Sequence, residues 1–131
     1  MARLSVGSEN AGGAAMFASA TTYWLALFTA DPAQSGTSGE VTGGSYARQA
    51  ITFTAWAAGT SLSAGTSASQ SFTNVPTEAG GIPYFGIFNA SSGTGAGTAY
   101  LGGGTTSGLS GSIPSGATVS FASGAVSLAL S

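Results

Sequence analysis

Cysteine, histidine and lysine are all absent from this 131-residue chain. Without histidine or cysteine, neither a Ser-His-Asp nor a Cys-His nucleophile arrangement can be assembled. Zinc sites built from nitrogen and sulfur ligands are excluded for the same reason. Without lysine there is no Schiff base and no Ser-Lys pair. The lack of cysteine also means no disulfide framework. Charge is nearly as scarce. Arg3, Glu9, Asp31, Glu40, Arg48 and Glu78 are the whole complement, 5% of the chain, where an ordinary soluble domain carries about 25%. Two arginines cannot supply the several phosphate contacts that nucleic-acid binding needs, nor hold the chain to an anionic membrane.

The carboxylates are the remaining candidates for chemistry. Two of them facing each other across a cleft could hydrolyse a glycoside. Here Glu40 adjoins the turn sequence Val41-Thr42-Gly43-Gly44, Asp31 precedes Pro32, Glu78 precedes Gly80-Gly81, and Glu9 lies in the N-terminal stretch. Solvated or turn-capping roles fit those places. No Asp-x-Asp loop is present to gather calcium. Gly93-Thr94-Gly95-Ala96-Gly97 lacks the following helix and the Lys-Ser/Thr pair that make a glycine loop bind phosphate. The expectation is a non-enzymatic protein with no catalytic, cofactor or metal residues.

What the chain does contain is apolar and small-residue sequence: 43% hydrophobic, 10% aromatic and 22 glycines. Its length suits one domain with a self-standing core. Alternation with period two predicts about seven strands. Tyr23, Leu25 and Leu27 oppose Trp24, Ala26 and Phe28 in the first, which is apolar on both faces. Residues 46–54, 69–75, 82–89 and 98–101 follow. The last two, 117–121 and 125–130, read as a hairpin about Ser123-Gly124. Glycine- and serine-rich stretches at 33–45, 59–67, 90–97 and 102–112 read as connectors. The fold expected is an all-β antiparallel sandwich over residues 21–131. Its core is expected to hold Leu25, Leu27, Ile51, Phe53, Phe85, Ile87, Val119, Phe121, Val126 and Leu128.

Residues 1–20 show no clear period, and Gly12-Gly13 disfavours a helix there. Ser19, Thr21 and Thr22 interrupt the small apolar run from Ala11 to Ala30, which argues against a membrane span. This segment is expected to be an arm that orders on a neighbouring subunit, inserting Leu4 and Val6 while Arg3 meets a carboxylate. Trp56, at a strand end, is read as a plug for the sandwich or an anchor for a partner. Arg3, Leu4, Val6 and Trp56 are therefore the candidate partner contacts.

Four ordered segments carry a resemblance: Trp24–Pro32 (WLALFTADP), Gly39–Gln49 (GEVTGGSYARQ) with Ile51-Thr52-Phe53, Phe85–Ala90 (FGIFNA) and Gly116–Leu128 (GATVSFASGAVSL). Together they are similar to a family of small tailed-phage virion structural proteins, labelled tail-fibre or capsid decoration proteins. Residues 91–113 depart from it in length and glycine content. The resemblance implies an all-β virion protein with no catalytic residues to carry over. It also gives Glu40 and Arg48 a structural role flanking the Gly43-Gly44 turn, as an ion pair. The function expected is a capsid decoration or cement protein bound to the major capsid protein lattice. The alternative is a tail-fibre or tail-tip module contacting a host receptor. Other virion subunits are the expected partners, with no nucleic acid and no membrane. A homo-oligomer is expected too, a trimer matching capsid local symmetry.

Overall fold

A computed structural model describes residues 22–32, 39–53, 62–65, 68–92 and 100–130; within these, the side chains of 62–65, 100–102 and 127–130 are left undescribed. Eight strands form: β1 Tyr23–Phe28, β2 Gln49–Ile51, β3 Leu62–Gly65, β4 Gln70–Val75, β5 Tyr84–Phe88, β6 Tyr100–Thr105, β7 Ala117–Phe121 and β8 Ser127–Leu130. No helix occurs among the described residues. The fold is all-β with antiparallel sheets, as the alternation predicts. Two compact units can be distinguished. The larger comprises Tyr23–Ala50 with Ser71–Ser120, and the smaller takes in Ile51–Gln70 and Phe121–Ser131.

In the larger unit a four-stranded sheet runs in the order β2-β1-β5-β6. Antiparallel pairing sets Trp24 opposite Phe88, Leu25 opposite Ile87, Leu27 opposite Phe85 and Phe28 opposite Tyr84. Side chains alternate across a strand, so Leu25, Leu27, Phe85 and Ile87 share one face and Ala26, Phe28 and Phe88 the other. Both sets are buried. This explains why β1 is apolar at every position: it is covered on both sides. On the second face Phe28 and Phe88 stack with ring centroids 6.1 Å apart. Trp24 and Tyr84, half-buried, pack around them. Trp24 is thus a margin residue of this cluster and not the centre of the core.

The glycines of β6 look unsuited to a strand, and by composition they read as a connector. The ladder to β5 overrides that preference, pairing Phe85 with Gly104 and Ile87 with Gly102 around an irregularity at Phe88. The Phe85 ring lies over Gly104, where a β-carbon would come within 3.2 Å of it. The aromatic ring therefore fills the space that the missing side chain leaves. β3, inside another stretch that reads as a connector, is likewise held by its ladder to β8.

The terminal hairpin expected from sequence does not form. β7 pairs with β4, and β8 pairs with β3. A turn at 122–125 closes with a bond from the Ala125 N–H to the Ala122 carbonyl at 3.0 Å. A two-residue primed turn would return β8 alongside β7. Here five residues separate the two strands, and Val126 within them is buried. β4 alternates over its first residues, with Gln70 and Phe72 buried while Ser71 and Thr73 face out; Asn74, at φ +50°, breaks the period, and Val75 is buried after it. Its outward hydroxyls meet those of β7 through Ser71 and Ser120, whose Oγ atoms are 3.0 Å apart. Of the expected core, Leu25, Leu27, Ile51, Phe53, Phe85, Ile87, Val119 and Val126 are buried. Phe121 is half-buried, and the Leu128 side chain lies outside the described set.

Gly81 shows why one of the turns demands glycine. Its φ is +76°, and a β-carbon there would meet the carbonyl oxygens of Leu109 and Gly111. The neighbouring Ile82 N–H donates to the Leu109 oxygen at 2.7 Å, so this carbonyl cannot retreat cheaply. Gly80, one residue earlier, has open space about it. Gly81→Ala should therefore lower stability by more than about 1 kcal/mol, while Gly80→Ala leaves it within about 0.5 kcal/mol. Parallel thermal melts of the two variants check the contrast.

Candidate functional site

The densest polar cluster among the described residues is built on the margin of β1. The segment 39–41 runs beside the end of that strand. The Thr29 N–H donates to the Gly39 carbonyl at 2.8 Å, and the Val41 N–H to the Leu27 carbonyl at 2.9 Å. Glu40 is thereby bridged to Phe28. The chain then turns at Gly43-Gly44, both with positive φ. The turn is fastened by bonds from the Tyr46 N–H to the Gly43 carbonyl and from the Ser45 N–H to the Asn74 carbonyl. It returns Tyr46 and Arg48 over Glu40.

The contact is a two-toothed ion pair. Arg48 Nε donates to Glu40 Oε1 at 2.8 Å, and Nη2 donates to Oε2 at 2.8 Å. The third guanidinium nitrogen, Nη1, donates to the Ala90 carbonyl at 3.1 Å, just past the end of β5. The guanidinium also lies over the Phe88 ring, 3.6 Å from its centroid. Only 3% of the Arg48 side chain is exposed, against 19% for Glu40. A planar fork that satisfies a carboxylate, a carbonyl and an aromatic face at once is a task lysine could not perform.

Tyr46 completes the cluster. Its hydroxyl donates to Glu40 Oε1 at 3.0 Å and accepts from the Leu27 N–H at 3.0 Å. Its ring stacks on Phe72 of β4, with centroids 5.8 Å apart. Burial drives the phenol well above its ordinary value of 10.0. The adjacent Glu40 carboxylate adds to that rise, while the Leu27 N–H and Arg48 oppose it. With both oxygens of Glu40 engaged, and the Tyr46 proton held between carboxylate and backbone, this cluster is arranged to hold three segments together.

Asp31 is exposed. Glu78 is half-buried and joins Ile113 by two backbone bonds of 2.9 Å. Among the described residues no acidic group of three or more could hold a metal ion, and no helix is long and apolar enough to cross a membrane. Arg48 is the single cation in the described set, so the described surface offers no exposed positive charge. The expected partner contacts Arg3, Leu4, Val6 and Trp56 all lie outside the described residues. The family resemblance implied the pairing of Glu40 with Arg48, and the reading of the sequence missed Tyr46. No spacing signal marked it, because the Gly43-Gly44 turn interrupts the strand period between Glu40 and Tyr46.

The model of the Podophage GP4 fiber I protein gp80 family matches residues 9–129. No curated protein and no solved structure matches.

The Tyr46 hydroxyl generates a test with a definite sign. The unfolded chain releases this proton near pH 10 and the folded chain keeps it to higher pH, so its contribution to stability is present below pH 10 and lost as pH rises above that. Tyr46→Phe should cost about 1–3 kcal/mol at neutral pH, because the Leu27 N–H loses its acceptor. It should also flatten the fall in stability above about pH 10. Denaturant midpoints of both proteins across that range check it.

Proposed function

The chain belongs to the Podophage GP4 fiber I protein gp80 family, and from that membership we propose that it is a non-enzymatic structural subunit of a phage fibre. As a member of a phage fibre family it is a virion component. The family match across residues 9–129 carries the reading, and it favours the tail-fibre alternative over capsid decoration. The physical character of the chain agrees with a structural role. Its best-organised polar residues are spent on fastening Glu40, Tyr46 and Arg48 to β1 and β5. Among the described residues, what is left outside is a hydroxyl- and glycine-rich surface with little charge to desolvate when other protein covers it. Other virion subunits are the partners that such a surface suits, and a host receptor is the partner of the fibre as a whole.

Antibody labelling of intact particles, combined with the copy number per particle by quantitative mass spectrometry, tests this reading. A fibre subunit gives label on the tail appendages and a small copy number. Label spread over the head at hundreds of copies would overturn it and return the chain to capsid decoration.

A further inference from the structure

β4 has two ways to continue its side-chain period, and one residue decides between them. Gln70 and Phe72 are buried while Ser71 and Thr73 are exposed. Strict alternation would next turn Asn74 inward and Val75 outward. The structure shows the reverse: Asn74 is exposed, and Val75 is fully buried. The change of phase comes from the backbone. Asn74 has a φ of +50°, the single positive value at a residue other than glycine among the described residues. That left-handed conformation is unfavourable for an L-residue, although asparagine tolerates it better than most. It keeps a carboxamide out of the core and brings an apolar side chain in.

A conformation of this kind persists only where neighbouring structure holds it. The holding contacts come from the turn at 43–45. The Ser45 N–H donates to the Asn74 carbonyl at 3.1 Å, and Asn74 Nδ2 donates to Ser45 Oγ at 2.9 Å. Gly44 lies so close to the Asn74 carbonyl that no β-carbon would fit there. Beyond the kink, the Gly116 N–H donates to the Val75 carbonyl at 2.9 Å. Residues 42–45, Asn74 and Gly116 are all exposed, so water competes for these bonds directly. Tyr46 and Arg48, just after the turn, are instead anchored on Glu40.

We propose that residues 43–45 are a strap that closes over Asn74, fixes the phase in which β4 ends, and opens locally while the four-stranded sheet stays intact. With the strap open, Asn74 relaxes to an extended conformation and β4 resumes its alternation. Val75 then turns outward, and the Gly116 amide loses its partner. Burial of Val75 favours the closed position, and relief of the Asn74 backbone favours the open one. A period-two strand has only these two phases, so the end of β4 switches between discrete arrangements and does not drift between them. The ion pair of Glu40 with Arg48 stays formed throughout, because neither residue lies in the strap. This motion belongs to the chain itself and does not rest on the fibre reading.

Amide hydrogen exchange of the full chain tests the strap. In the wild type the Ser45 and Gly116 amides should exchange together, ahead of the amides that join β1 to β5. Asn74→Gly, which takes up the left-handed conformation freely, should leave both within about threefold of wild type. Asn74→Ala, which does not, should speed both by about tenfold or more and leave β1 and β5 unchanged. Val75→Cys adds a second readout, since it introduces the only thiol in a chain without cysteine. Combining it with Asn74→Ala should speed thiol labelling at 75 by about tenfold under folding conditions. Ser45 and Gly116 amides as slow as those of β1 and β5 in the wild type overturn the proposal, and this holds even should the alanine variant fail to fold. So does an Asn74→Ala variant in which β1 and β5 lose protection equally, an Asn74→Gly variant as damaging as Asn74→Ala, or a thiol at 75 that labels no faster.

Discussion

One ion pair organises the larger unit. Glu40 lies against the end of β1, Arg48 beyond the following turn, and the Ala90 carbonyl bound by Arg48 just after β5. Three segments distant in sequence are thereby tied through a single guanidinium. Burying charge in this way is costly by itself, and the cost is met only where geometry and additional hydrogen bonds are both good. Here the two-toothed contact, the Ala90 carbonyl and the Phe88 ring supply them. A chain so poor in charge has placed its best-formed ion pair where that pair specifies how the strands meet.

Tyr46 extends the same constraint to a further element. Its hydroxyl satisfies the Leu27 N–H, a donor on β1 that would otherwise lack a partner, and its ring continues the apolar stack onto Phe72 of β4. The Gly43-Gly44 turn makes this possible by returning the chain within a few residues. Gly44 adopts a φ of +58° and leaves no room for a β-carbon beside the Asn74 carbonyl. Turn chemistry, ion pair and aromatic stack therefore depend on one another, and the apolar ladder between β1 and β5 is laid beneath them.

Much of this was legible from residue order. The double-faced apolar run at 23–28, the strand at 82–89 and the Glu40–Arg48 pairing each follow from side-chain period or from the family resemblance. The misreadings share one physical cause. Leu62–Gly65 and Gly102–Thr105 have the composition of connectors, and they are strands because β8 and β5 offer them ladders. The final two strands alternate as a hairpin would, yet each finds its partner far along the chain. Local pattern shows that a segment is a strand and which of its residues face inward; it does not say which strand it pairs with. Tyr46 escaped for a related reason, since side-chain period does not show that its hydroxyl lies between a carboxylate and a backbone donor.

The central claim is that Glu40 and Arg48 act as one unit, and a double-mutant cycle measures that coupling directly. Glu40→Ala and Arg48→Ala should each cost about 3–5 kcal/mol, because each leaves a largely buried charge without its partner. The double variant should then cost little more than either alone, since no unpaired charge remains. Unfolding free energies of the four proteins that add simply across the cycle would contradict the account, and would mean that the pair decorates the fold without organising it.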